Sequence, residues 1–399
     1  MKILVLNAGS SSQKSCLYEL TEPLPNDPPA PLWEAQIDWT AQAGKALLKI
    51  KANGKKIEQT IDSSDQATDT LQLLKTLSEG DTKVIQHSNE VDVVGHRIVH
   101  GGQSYRQSVR IDQTVKDTIA DLARFAPLHN PANLQGIEAI EQSLGNVPQV
   151  AVFDTAFHST LSAAASLYPI PYEWYEKGVQ RYGFHGISHQ YCANRAAQLL
   201  EQDLHSLKLI TCHLGNGCSS AAIRNGQSID TTMGFTPLEG LMMGSRSGSI
   251  DPGVVLYLMR EDHYSIDEVE KLLNKQSGLL GVSGVSSDLR QVVNAETERS
   301  TLAIETYIHR LRSNIGAMIA SLEGLDAIVF TAGVGENSAM IRSRTCEAFR
   351  WLGLELDEGK NQASPVDQNI AALSSKVQIL VIHTEEDWAI AQECWKLAR

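Results

Sequence analysis

Arg97 lies in GHRIVHGG (Gly95 to Gly102) and Arg246 in EGLMMGSRSGSIDPG (Glu239 to Gly253), each surrounded by glycines and small residues. Neighbours that small let a planar guanidinium lie against a phosphate or carboxylate, so the two read as an anion clamp. Pinning of loop carbonyls is the competing role for the same donors. Asn7-Ala8-Gly9-Ser10-Ser11-Ser12 with Lys14 is a turn without bulky side chains, in which N–H groups and hydroxyls can approach phosphate oxygens, although a plain hairpin turn has the same makeup. FDTAFH (Phe153 to His158) and RYGFHGISH (Arg181 to His189) bring Asp154 and His185 to strand ends or tight turns. Such groups tend to be functional, while a lone Asp is often only a cap or turn former.

Several chemistries are disfavoured by what is missing. There is no GxxxxGK[ST], and Gly333-Val334-Gly335-Glu336-Asn337-Ser338 lacks the third glycine of GxGxxG. No HExxH occurs, and the centre of Gly244 to Gly248 is Arg246 rather than the serine of a nucleophile elbow. The cysteines at 16, 192, 212, 218, 346 and 394 form no CxxC pair and read as reduced thiols of a cytoplasmic protein. A formal net charge of −13 argues against nucleic acid or an acidic membrane as the main partner. The short apolar stretch at the amino terminus runs straight into polar residues, and no apolar run of membrane-spanning length follows, so neither a signal peptide nor a span is expected.

The elements that must position these residues follow from length and patterning. A chain of 399 residues exceeds the size at which one core usually stops growing, so two lobes with a cleft are expected, bounded at 1–155 plus 387–399 and at 156–386. Lys2 to Leu20 reads as a strand, a Gly/Ser turn and a second strand. EPLPNDPPAP (22–31), with five prolines, cannot hold regular structure. Apolar runs at Val91–Val94 and Val150–Phe153 read as buried strands that deliver polar residues at their carboxyl ends. Helical spacing covers Thr114–Phe125 and Asn133–Ser143. LITCHLGNGCSSAAIRNG after Lys208 echoes ILVLNAGSSSQKSCLYEL after Lys2, and aligning Gly9 with Gly217 suggests a duplicated unit. A buried strand, Ala327–Phe330, precedes Gly333 and Gly335, with a helix from near Asn337 whose amides would face an anion. The chain closes with a strand, Val377–Ile382, and a helix from Trp388.

Taken in order, NAGSSSQK, GHRIVHGG, PLHNPAN, FDTAFH, YGFHGISH, LGNG, TTMGFTPLEGLMMGSRSG and FTAGVGEN resemble the acetate kinase family across essentially the whole chain. The resemblance implies an α/β fold of two duplicated lobes, of the acetate-and-sugar-kinase and actin-like ATPase type. It further implies mixed five-stranded sheets with flanking helices, a nucleotide in the interlobe cleft, and a homodimer. By the same resemblance Asp154, His185, Arg97 and Arg246 are catalytic, and Arg97, Val99, Leu128, Phe184 and Pro237 hold the acceptor acid. ATP would be met by Lys14, Ser10, Ser12, His213, Leu214, Gly215, Asn216 and Gly217, with Asp288, Leu289, Arg290, Gly333, Val334, Gly335 and Asn337. Asn7 and Glu386 would serve Mg²⁺, with Mn²⁺ as a substitute. Leu289 departs from the aromatic residue found there in some members. The partners implied are ATP or ADP and acetate or acetyl phosphate.

The chemistry agrees with direct transfer. A simple carboxylic acid is ionised at pH 7, so the nucleophile needs no general base and Asp154 is better cast as a metal or water orienter. A propionate or butyrate kinase is the near alternative, which the bulk of Val99 argues against, and an actin-like or chaperone-like ATPase without an acceptor is the distant one.

Overall fold

The computed structural model describes residues 1–9, 12–42, 44–63, 65–127 and 129–399. Two compact units divide the chain, Met1–Ala156 with Glu385–Arg399, and Phe157–Thr384. Glu386 therefore belongs to the first unit, whereas the sequence boundaries set it at the end of the second.

The first unit carries β1 (Lys2–Ala8), β2 (Ser12–Glu19), β3 (Trp33–Gln42), β4 (Lys45–Ala52), β5 (Lys55–Asp62), β6 (Val93–Ile98), β7 (Val109–Arg110) and β8 (Gln149–Phe153), in the order β5-β4-β3-β2-β1-β6-β8-β7. The second carries β9 (Lys208–Leu214), β10 (Cys218–Arg224), β11 (Gln227–Thr231), β12 (Ala327–Thr331), β13 (Gln368–Asn369) and β14 (Gln378–Val381), in the order β11-β10-β9-β12-β14-β13. Central β1 is antiparallel to β2 and parallel to β6, as β9 is antiparallel to β10 and parallel to β12. Each central strand is flanked on both faces, which is why KILVLNA and KLITCHL read as near-continuous apolar runs rather than alternating ones.

The duplication is thus a matter of topology, and its register differs from the sequence alignment. β1 runs seven residues from Lys2 and β9 seven from Lys208, so Gly9, directly after Ala8, corresponds to Gly215, directly after Leu214, and not to Gly217. Repeated serines drew the alignment two residues out of phase, but strand length sets the true offset. The sheets also exceed the five strands expected. A five-strand core, β3-β2-β1-β6-β8 in one unit and β11-β10-β9-β12-β14 in the other, is extended by two-residue edge strands and, in the first unit, by the β4–β5 hairpin. The two-residue turns Asn53-Gly54 and Asn225-Gly226 both take positive φ, as the right-handed twist of a tight hairpin demands. Edge strand β5, KKIEQTID, presents Lys and Glu outward and so resists pairing with another chain.

Helix boundaries moved where side chains or prolines act locally. Gln113–Asp121 is α-helical and continues as a 3₁₀ turn over Leu122–Arg124. The next helix begins at Asn130, three residues earlier than the apolar spacing suggests, because Pro131 fits its first turn without losing a needed N–H. Gly333 and Gly335 lie inside the helix Ala332–Asn337, and a second helix, Ala339–Glu347, follows directly. The last helix, Glu386–Leu397, starts two residues before Trp388 and so carries Glu386 and Asp387 in its first turn. Residues 22–31 hold no helix or strand. No described helix is long and apolar enough to cross a membrane, and the six cysteines are buried and in no disulfide.

Candidate active site

In the first unit the chemistry gathers where β1, β2, β6 and β8 meet the last helix. Arg97 lies within β6 rather than beyond it, and Asp154 follows β8 directly. Arg97 Nη2 donates to Asp154 Oδ2 at 2.5 Å and Nε donates to the same oxygen at 3.1 Å. Its Nη1 reaches Asn7 Oδ1 at 3.4 Å. Burial alone would weaken the Arg97 charge, but the carboxylates of Asp154, Glu386 and Asp387 outweigh it and hold the guanidinium more firmly protonated than usual. Asp154 therefore orients Arg97 directly, a partner that a reading as metal or water orienter did not include.

Asn7 joins this group to the helix. Its Nδ2 donates to Glu386 Oε2 at 3.1 Å and to Asp387 Oδ1 at 2.9 Å, and Lys14 stands opposite Asn7 in the β1–β2 register. Burial raises the Asp387 carboxyl above the ordinary range, Glu386 adds to that rise, and the Asn7 bond and the Lys14 charge oppose it. Asp387 was not singled out in the sequence, although an acidic pair opening a helix was the available signal. At the turn, Gly9 N donates to Ser12 O at 2.8 Å, which closes the hairpin. Ser10 and Leu128 lie outside the described residues.

The PLHNPAN motif has a supporting role. Asn133 Oδ1 accepts from Val99 N at 3.0 Å, Asn130 Oδ1 accepts from His100 N at 3.2 Å, and Asn130 Nδ2 donates back to His100 O at 3.2 Å. The backbone just beyond Arg97 is fixed by these amides, and Val99 is 4% exposed.

The second unit holds a histidine cluster. His185 takes left-handed φ of 57° immediately before the helix Gly186–Leu199, and its ring stacks on His213 with centroids 4.2 Å apart. Nδ1 of His185 is 2.8 Å from Ser219 Oγ, and so is Nε2 of His189. His213 Nδ1 is 2.8 Å from Ser188 Oγ, which accepts from Thr384 Oγ1 at 2.9 Å. His189 and Ser188 were readable from GFHGISH, because residues i and i+4 share a helical face. Nothing in the sequence pointed to Ser219 as their common partner.

Arg246 lies near the same place. A Cβ at Gly217 would stand 3.5 Å from His185 Cε1 and 3.6 Å from both His185 Nε2 and Arg246 Nη1, so ring edge and guanidinium both border a position without a side chain. Arg246 Nη1 donates to Pro237 O at 3.1 Å, so the carbonyl-pinning role is also present. Its loop is held by the helix Gly278–Ser283 and the residue before it: Ser277, Leu279 and Leu280 amides donate to the carbonyls of Ser245, Met243 and Gly244. Phe184 is 1% exposed and Pro237 half-buried.

The residues assigned to the nucleotide fall in three places. Leu214 is buried at the end of β9, and Gly215, Asn216 and Gly217 form the following loop. Asp288 caps the helix Leu289–Asn294 and pairs with exposed Arg290 at 2.6 Å, while Leu289 is buried at 5% exposure. Gly333 and Asn337 are exposed on their short helix, with Val334 and Gly335 deeper. The amide of Ala332 at its start donates to Glu336 Oε1 at 2.8 Å. Buried Arg342 anchors that helix through the carbonyls of Gly335 and Glu336, at 2.8 and 2.7 Å.

Burial leaves a pH signature. His96, His100 and His158 are all held down to about 4 by burial; a bond to Gln149 partly opposes this for His96, and one to the Phe184 carbonyl for His158. Unfolded, each titrates near 6.5, so the unfolded chain binds more protons between those values. Stability is then complete above about pH 6.5 and declines toward pH 4, by up to about 1.4 kcal/mol per pH unit for each histidine. Urea midpoints measured across that window are expected to fall steadily with acidification. A flat profile would exclude neutral burial of these rings.

Two sheets of one core topology, with the Arg97–Asp154 pair in one unit and His185 and Arg246 beside Gly217 in the other, fit a phosphotransferase of the acetate-and-sugar-kinase architecture. The model of the acetokinase family matches residues 2–392. An acetate kinase of Cyanothece sp. is 61% identical over 401 residues, covering 100% of this chain and 98% of that protein, and one of Nostoc sp. is 61% identical with 100% of both covered. Among solved structures, acetate kinase of Porphyromonas gingivalis superposes with a TM-score of 0.90 at 40% identity over 100% of both chains. A propionate kinase of Francisella tularensis gives 0.90 at 38% over 99% of both. The chain belongs to the acetokinase family.

Proposed function

We propose that the protein transfers the γ-phosphoryl group of ATP to acetate, giving ADP and acetyl phosphate, and that the transfer is reversible, direct and in line. Full-length identity of 61% to acetate kinases carries this reading. An ATPase without an acceptor is not favoured by that kinship.

Acetate is already an anion, so the obstacle is charge rather than basicity: two unit charges 4 Å apart repel by roughly 4 kcal/mol at an effective dielectric of 20. Arg97, oriented by Asp154, and Arg246 hold the acceptor and the transferring group. His185 donates to an equatorial oxygen as charge spreads over the phosphoryl. Lys14 and Ser12 meet phosphate oxygens, and His213 and the 215–217 loop serve the nucleotide. Glu386 and Asp387, both bonded by Asn7 Nδ2, offer carboxylate oxygens, and Mg²⁺, or Mn²⁺, is commonly held through one or two carboxylates together with substrate phosphates, whereas Asn7 would have to turn its amide to present Oδ1. When bound there, the metal neutralises charge on the ATP phosphates.

The test is turnover of Mg²⁺-ATP with acetate, propionate, butyrate or no acid, trapping acyl phosphate with hydroxylamine. Acetyl hydroxamate formed fastest is the expected result. Faster propionate turnover would reassign the acceptor, and ADP release without hydroxamate would overturn the proposal.

Two further parts of the reading rest on surface and thiols. The helix Pro252–Arg260 has no buried residue, with Val254 46%, Leu256 57% and Tyr257 57% exposed, an apolar face suited to a second copy of the chain. Leu256→Glu is expected to convert a homodimer to monomer in size-exclusion chromatography with light scattering; wild-type protein already eluting as monomer would remove the homodimer from the reading. Six buried cysteines in no disulfide fit a reducing, cytoplasmic setting.

A further inference from the structure

The proposed role of His185 requires a proton on the ring nitrogen that faces the phosphoryl group, and a neutral imidazole carries only one. Which nitrogen carries it is set by the hydrogen bond made by the other. For His185 that other nitrogen is Nδ1, 2.8 Å from Ser219 Oγ. The same hydroxyl is 2.8 Å from His189 Nε2, and His189 Nδ1 is 2.7 Å from Thr211 Oγ1. Thr211, Ser219 and His189 are all fully buried.

Three bonds in series along Thr211, His189, Ser219 and His185 admit two proton orders while both rings are neutral. In one, Thr211 donates to His189 Nδ1, His189 Nε2–H donates to Ser219, and Ser219 donates to His185 Nδ1. In the other every bond reverses, and the Thr211 proton must find a different acceptor. Among the described residues the Thr211 hydroxyl has His189 Nδ1 as its hydrogen-bond partner, and its burial excludes bulk water. A buried donor without an acceptor is the costlier failure, so the first order prevails. Burial, aided by the neighbouring rings of His158 and His213, keeps His189 neutral by pushing its pKa well below the usual value.

We infer that Ser219, His189 and Thr211 form a one-way hydrogen-bond relay that protonates His185 on Nε2, the edge bordering Gly217 and Arg246. They are positioning residues, and the inference rests on the proposed role of His185. Strand periodicity places Thr211 and His213 on one face of β9, Ser219 stands opposite His213 in the register, and the helix Gly186–Leu199 lays His185 and His189 over that hairpin. The relay therefore needs residues from three elements.

Nitrogen-15 NMR of histidine-labelled protein above neutral pH reads the relay without any turnover, and both His185 and His189 are expected as the Nε2–H form. Finding His185 protonated on Nδ1 would overturn the inference whatever the kinetics. Ser219→Ala is expected to mix the His185 tautomers and lower kcat about tenfold to a hundredfold, the range seen for partners that orient a functional imidazole, with KM for ATP and acetate little changed. If Ser219→Ala does not fold, Thr211→Val and Thr211→Ser replace it: the first should lower kcat and the second restore it. Unchanged kcat in Ser219→Ala, or in Thr211→Val, would overturn the relay. His185→Ala separates the two readings, because a fully active His185→Ala enzyme would sink the role of His185 while the NMR result still decides the relay.

Discussion

His185→Ala is expected to lower kcat by about 10²–10³, equivalent to about 2.7–4 kcal/mol of transition-state stabilisation, with KM for acetate and ATP nearly unchanged. Charge on the equatorial phosphoryl oxygens grows only as the bond to ADP loosens, so a donor aimed there acts on the transition state more than on bound substrate. Arg246→Ala should lose at least as much, because it removes a full charge whose loop is already held by the helix Gly278–Ser283. Arg246→Lys should recover little, since a point charge does not reproduce a planar fork. A loss below tenfold in kcat/KM for both alanine variants would mean that neither residue meets the transferring group.

Asp154→Ala is expected to remove activity and to destabilise the fold by about 3 kcal/mol, the lower end for breaking a buried ion pair. Asp154 is 1% exposed and accepts two bonds from Arg97, so its loss strands a guanidinium in poorly solvated surroundings. Arg97 remains 16% exposed at its side chain and still reaches Asn7, which softens the penalty. The double variant Arg97→Met with Asp154→Leu should regain most of the stability in urea unfolding while staying inactive, because an apolar pair needs no compensating charge. Full stability in Asp154→Ala alone would show that Arg97 does not depend on it, and activity in the double variant would show that the clamp is dispensable.

The two buried strands running into GHRIVHGG and FDTAFH and the proline-rich stretch at 22–31 were legible, because each depends on local apolar runs or backbone preference. Arg97 and Arg246 stood out for a local reason too: small neighbours leave a guanidinium room to work. Boundaries shifted where the deciding group lay off the pattern, as with Pro131 opening a helix before its apolar face begins, and Glu336 accepting the amide of Ala332.

The sequence by itself determined which residues are chemically equipped, namely Asn7, Lys14, Arg97, Asp154, His185 and Arg246, and that two hairpins of one kind open the two halves. Only the tertiary structure decided what each of these groups is paired with. Asp154 meets Arg97 across adjacent parallel strands, Asn7 meets Glu386 and Asp387 from a helix nearly four hundred residues along the chain, and Ser219 serves both His185 and His189. Local propensity acts over a few residues, whereas the proton on His185 depends on a buried threonine brought beside it by the pairing of strands and the packing of a helix, and those distances are set only when the core closes.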